Sequence, residues 1–352
     1  MTPANALTGQ RQNLLPFRSG TRQDIQPINP IVYGAGQTIS QIIPPVGFLS
    51  GIYLTFEAVV HTTGAGGVLN PYMPWNLLER IIVNSNLNSF IWQTSGYGAY
   101  LEQMLLNPGG YRPDLGGIGS TTPDPFVYAV PLAAGNNNWV FSLYLPISAN
   151  DGLNFMAGLI DLQSPQTQVT LQVTFGNPTD AATLVDTIVG NLFISYEYYE
   201  LPDPTKFAYP VLSLVRTIEQ FNPVLSQNAD VINTLQKQGT LLHLLHWLQL
   251  NGVPSDGWSN ATIRFNTSTK PYIIDRRTMR QRNLQMQGIQ FPVGAFVHQW
   301  FNANGTVSEG DNRDMIDSEN ISTLDTMLTV TGALGANNNN FFTVRRLIQA
   351  FS

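Results

Sequence analysis

The chain has 352 residues, 43% of them hydrophobic and only 11% charged, with a formal net charge of -6 and no cysteine. That length allows one large domain or two ordinary ones, each with a sizeable core. The absence of cysteine excludes disulfides, iron–sulfur clusters and thiolate zinc sites, and the acidic balance argues against nucleic acid as a direct partner of the whole chain. So few charges, against abundant Asn, Gln, Ser and Thr, suit an assembly in which subunits bury much of one another. No apolar run reaches the roughly 18 residues that span a bilayer and no export signal is visible, so a soluble protein is expected.

Residues 1–37 are polar, contain Pro16, Pro27 and Pro30, and read as an extended arm ordered by what it touches. Arg11, Arg18 and Arg22 precede the first acid, Asp24. A solvated tail and a contact with an anionic surface such as phospholipid are both open for this arm. Strands are expected at residues 38–43, 48–61, 78–84 and 89–94. In the second, Ile52, Leu54, Phe56, Ala58 and Val60 alternate with Tyr53, Thr55 and Glu57, which gives one buried and one partly polar face. Tyr97, Tyr100, Leu101, Met104 and Leu105 then recur at helical spacing, with Ser95 as N-cap and Pro108 as the stop. The Gly- and Pro-rich residues 107–125 predict a long surface loop. The loop region out to residue 138 is expected at an intersubunit contact or an outward tower. Further strands follow at 126–130, 139–147, 168–175 and 191–200.

Three prolines within residues 201–210 break any strand and place a boundary there. Beyond it the order strand, strand, strand, helix recurs at residues 240–287, where DRRTMRQR opens the second helix. Matched elements begin at Phe48 and Leu241, Ser95 and Asp275, Trp139 and Phe296, and Leu192 and Phe342. The offset shrinks most across the long loop, as a duplicated fold with one enlarged loop requires. The expected organisation is an arm (1–37), a first unit (38–203) and a second (204–352). The fold class is all-β: two tandem eight-stranded jelly rolls, a double jelly roll, with a short helix after the fifth strand of each.

Catalytic or metal chemistry finds little footing. The histidines are His61, His243, His246 and His298. His243 and His246 lie three apart on a strand and point to opposite faces, so they cannot share a metal. Asp311, Asp314 and Asp317 lack the spacing of a calcium hand and read as a solvated loop. Glu57, Glu197 and Glu200 are ordinary strand acids, and neither a nucleophile elbow nor a phosphate loop is present. Arg276, Arg277, Arg280 and Arg282 form the densest basic cluster, expected to pair with acids of a neighbouring subunit rather than to form a nucleic-acid face. No catalytic residue, cofactor or metal is expected.

The stretch MPWNLLERIIVNSNLNSFIWQTSGYGAYL resembles the major capsid proteins of tectiviruses, tailless bacteriophages with an internal membrane. The likeness is carried by the preceding GFL strand, by Asn76, Leu77, Arg80, Ile81 and Ile82, and by Thr94, Ser95 and Gly96 at the helix start. It implies a structural, non-enzymatic protein of the lineage shared with adenovirus hexon. Such a chain would form a homotrimeric, pseudo-hexagonal capsomer that tiles an icosahedral shell around a membrane. Its partners would be its own copies, a penton or minor capsid protein, and phospholipid through the arm residues Arg11, Arg18 and Arg22. It would reside in the virion and assemble in the host cytoplasm. A carbohydrate- or receptor-binding β-sandwich is the alternative, and a sandwich hydrolase a third reading.

Overall fold

The computed structural model describes residues 15, 17–65, 67–86, 90–106, 127–129, 132–150, 156–200, 203, 205–210, 213–266, 272–287, 291–299, 316–318 and 321–350. Eight main strands build the first half: β1 (Gln23–Val32), β2 (Thr38–Ile42), β3 (Phe48–Thr62), β4 (Leu78–Ser85), β5 (Trp92–Thr94), β6 (Gly135–Pro146), β7 (Val169–Phe175) and β8 (Val185–Tyr199). Helix α1 (Gly96–Leu106) follows β5. One antiparallel sheet runs β1-β8-β3-β6 and the other β2-β7-β4-β5. Strict alternation is what lets each sheet bury one face. Val169, Leu171, Val173 and Phe175 of β7 face Ile52, Leu54, Phe56 and Leu143 across a core that also holds Trp139 and Phe141.

The second half repeats this order. It contains β9 (Ser213–Pro223), β10 (Ala229–Thr234), β11 (Thr240–Leu250), β12 (Trp258–Phe265), β13 (Tyr272–Asp275), helix α2 (Arg276–Gln287), β14 (Ala295–Gln299), β15 (Leu324–Val330) and β16 (Asn340–Ala350). Its sheets run β9-β16-β11-β14 and β10-β15-β12-β13. Strand for strand, this is the connectivity of the first half. The chain is therefore a double jelly roll, with a helix after the fifth main strand of each unit.

Two findings depart from the sequence reading. The segment 1–37, expected to be an arm, contains β1, which pairs with β8 from Gln23↔Tyr199 to Val32↔Asn191. Pro27 and Pro30 are tolerated because β1 is an edge strand, where a missing donor costs no ladder bond. Part of the arm is also docked: Phe17 is buried, edge-on to Phe48 at 5.4 Å, and Leu15 exchanges backbone hydrogen bonds with Lys206 and Ala208. The strand expected at residues 126–130, one of the eight counted in the first half, is only the three-residue edge piece Val127–Ala129. Residues 107–126, most of the expected tower loop, lie outside the described residues, and residues 135–138 belong to β6.

The units are fused. β5 pairs in parallel with β9, at Trp92↔Thr217 and Gln93↔Ile218, so one sheet of the first jelly roll continues into one sheet of the second.

Candidate assembly surfaces

Helix α1 is the element on which the joint is built. Ser95 caps it, its Oγ accepting from Gly98 N at 3.1 Å. Glu219 of β9 then accepts from Ser95 N at 2.6 Å and from Ser95 Oγ at 2.9 Å. The second jelly roll thus supplies a carboxylate to the positive end of the first one's helix. Burial pushes the Glu219 carboxyl up to about 7, against the pull of the Ser95 hydrogen bonds. A Cβ on Gly98 would lie 2.4 Å from Glu219 Oε2. Gly98→Ala is accordingly expected to destabilise the chain by about 1–3 kcal/mol through overpacking, measured as a lower denaturant midpoint. An unchanged midpoint would mean that Glu219 is not seated on the helix end.

One turn further on, Glu102 is fully buried. His243 Nε2 of β11 lies 2.9 Å from both of its carboxylate oxygens, and Arg346 Nη1 of β16 lies 3.4 Å from Oε1. Arg346 Nη2 also donates to the carbonyl oxygens of Pro146 and Ser148, each at 2.9 Å. Burial opposes a charge on Glu102, but His243 and Arg346 together outweigh it and hold the carboxyl below its ordinary range. Around this cluster the outer face of β9-β16-β11-β14 is covered by the first unit. Trp247 meets Tyr97 edge-on at 5.7 Å, and Leu245, Val297 and Val344 share the first unit's core.

Among the described residues, none covers the matching outer face of β1-β8-β3-β6 as the first unit covers that of β9-β16-β11-β14. Ile25, Val59, Val189 and Phe193 are 42–67% exposed there, with the pair Asn191 and Glu57 between them on the same face, a mixed surface with apolar groups for a partner to bury. In its middle Tyr53 and Tyr144 lie 4.5 Å apart, ring to ring, over the buried Glu197. Glu197 accepts from Tyr144 Oη at 2.8 Å and from Ser50 Oγ at 3.1 Å. Burial, with the Glu197 charge beside it, pushes the Tyr53 hydroxyl up to about 12 and the Tyr144 hydroxyl upward as well.

Of the arm residues named from the sequence, Arg11 lies outside the described residues and Arg18 sits on the helical turn Phe17–Gly20. Arg22 forms exposed ion pairs with Glu200 at 3.0 Å and Asp24 at 3.3 Å. His61 lies 2.7 Å from Asp186 on the exposed face. His243 and His246 do point oppositely: the second turns into the second unit's core, with Nδ1 3.1 Å from Thr343 Oγ1 and its ring between Phe296 and Phe341. His298 packs beside it, ring centroids 5.2 Å apart. Asp311 and Asp314 are outside the described residues, and Asp317 pairs with Thr240. Three of the four arginines of α2, expected to pair with acids of a neighbour, also have partners within the chain. Arg280 pairs with Asp256, Arg276 donates to the Asp256 carbonyl, and Arg282 donates to Tyr272 Oη with its guanidinium carbon 5.9 Å from that ring. Only Arg277 of the four has an exposed side chain with no hydrogen bond or ion pair among the described residues.

No protein-family model matches the sequence, and no curated protein does. Solved structures match in fold. The STIV MCP, from Sulfolobus turreted icosahedral virus, aligns with a TM-score of 0.68 at 14% identity, covering 93% of this chain and 97% of that one. The Faustovirus major capsid protein aligns at 0.60 with 8% identity, covering 99% and 92%. The major capsid protein P2 of bacteriophage PM2 aligns at 0.54 with 9% identity, covering 94% and 98%.

Proposed function

We propose that the chain is a structural capsid protein, a building block without catalytic function. In this reading it self-associates into pseudo-hexagonal homotrimers of the tectivirus type, which tile an icosahedral shell around an internal membrane. Residues 23–203 and 204–352 form its two units. The observation that carries the reading is the duplication itself. Two jelly rolls of identical connectivity are fused through a buried joint, in the arrangement of solved major capsid proteins matched over more than nine-tenths of this chain. Six similar units in three chains approximate six-fold symmetry, and the exposed Ile25, Val59, Val189 and Phe193 give them apolar surface to bury. The protein then belongs in the virion, assembled in the host cytoplasm beside penton or minor capsid proteins.

The test is the solution mass by light scattering across a dilution series, followed by electron microscopy. Three times the chain mass, surviving dilution, and hexagonal outlines are the expected result; a monomer at all concentrations would overturn the reading. The Tyr53 and Tyr144 pair could instead stack on a sugar ring, so saturable glycan binding by such a monomer would favour the lectin-like alternative.

The arm supports a second expectation. Replacing Arg11, Arg18 and Arg22 by Gln is expected to weaken binding to anionic vesicles by up to about 1 kcal/mol per charge. Arg22 should contribute least, because Glu200 and Asp24 already offset it. Flotation with phosphatidylserine vesicles measures this, and unchanged binding would assign the arm to protein contacts.

A further inference from the structure

The two helices are equivalent residue by residue, and this fixes which surfaces correspond. Ser95 caps α1, and Asp275 caps α2 by accepting from Arg277 N and Thr278 N. Eight residues after each cap an amide side chain binds the helix's own jelly roll. Gln103 Oε1 accepts from Tyr144 N on β6, and Asn283 bonds both Val297 N and Val297 O on β14. From these anchors the strand register carries the match across each sheet. In the first unit Tyr144 faces Tyr53, which faces Ser195, and two residues along Gly51 faces Glu197. In the second, Val297 faces Leu245, which faces Val344, and two residues along His243 faces Arg346.

Glu197 is therefore the counterpart of Arg346. Seven residues after the caps, Glu102 is the counterpart of Arg282. Within the chain Glu102 of α1 meets Arg346 on the second unit's sheet; the same two positions in the other pair of surfaces carry Arg282 on α2 and Glu197 on the first unit's sheet. Both signs are reversed, so the complementarity is preserved. The coverage differs in the same sense. Helix α1 is buried from both sides, whereas α2 buries Met279 and Asn283 and leaves Leu284 exposed, and Ile273 of the preceding β13 is exposed as well.

We infer that a second copy of this chain lays its α2 and β13 on the outer face of β1-β8-β3-β6, repeating the intrachain joint with the charges exchanged, Arg282 taking the place of Glu102 and Glu197 that of Arg346. The contact is heterologous, so it propagates head to tail until the ring closes. Closure at three copies rests on the capsomer reading; the pairing of these two faces does not.

The absence of native cysteine makes the faces easy to map. The intrachain contact of Tyr97 with Trp247 corresponds to Arg277 against Thr55, both on the surfaces in question. Carrying Arg277→Cys and Thr55→Cys together, the full-length protein treated with a short bis-maleimide is expected to yield covalent dimers and trimers. A mixture of the two single variants should stop at dimers. Arg282→Glu should weaken association by at least about tenfold, while its circular dichroism stays that of the parent and shows the fold retained. If the parent is a trimer by light scattering, yet the double variant does not cross-link and Arg282→Glu associates normally, this docking is wrong and the capsomer reading stands on other faces. A parent that is monomeric throughout overturns both.

Discussion

Glu102→Ala is expected to lower the unfolding free energy by about 3–5 kcal/mol, because it leaves a buried guanidinium without its counter-charge. Arg346 is 1% exposed, and its Nη1 would keep only a 3.4 Å contact with Thr217 Oγ1. His243, 2% exposed, would lose both of its short contacts. Replacing the whole cluster tests the cause. The triple variant Glu102→Leu, His243→Leu, Arg346→Met removes every charge at once and should recover part of the loss, since buried ion clusters are often no better than apolar packing. Recovery should be incomplete: the carbonyls of Pro146 and Ser148 lose their donor, and an unsatisfied buried acceptor costs about 1–3 kcal/mol. Denaturant melts of the single and triple variants at pH 7 decide it. A loss below about 1 kcal/mol for Glu102→Ala would mean that the joint admits water and is not a rigid seam.

What could be read from the sequence was whatever is periodic. The alternation in residues 52–60 and 169–175, the cap Ser95, and the repeated strand order all survive in the structure because each is set by local geometry. β1 was hidden because an edge strand with only Ile31 buried carries no apolar alternation, and its prolines imitate a linker. The joint was hidden for a different reason. Glu102, His243 and Arg346 are separated by more than a hundred residues, and only topology brings them together. A signal was present nonetheless: LLHLLHW and FFTVRRLI place titratable groups inside otherwise apolar strands, and such a group demands a partner. The sequence could say that a partner existed, but not which residue it was.

Acid is expected to destabilise the chain in two stages, with the break near pH 4.5. His246 and His298 are held below the ordinary value of 6.5 by burial, His246 well below and His298 to about 3; His298 disfavours charge on His246, and Arg282 does the same to His298. As pH falls below about 6.5 the unfolded chain therefore takes up two protons that the folded chain refuses, and stability is lost. Glu219 works the other way. Its folded value near 7 lies above the ordinary 4.5, so the folded chain gains one proton first. Between about 6.5 and 4.5 the net difference is one proton, a loss of about 1.4 kcal/mol per pH unit. Below about 4.5 the unfolded Glu219 protonates as well and its offset stops growing, while Glu102, held low in the fold, adds a third proton to the unfolded side. The slope then approaches about 4 kcal/mol per unit, easing only near pH 3 where folded His298 protonates. Unfolding midpoints from pH 7 to 3.5 give both slopes. Glu219→Gln should double the first slope by removing the opposing proton, and His298→Phe should nearly abolish it. If both variants follow the parent curve, these buried groups do not govern its acid stability.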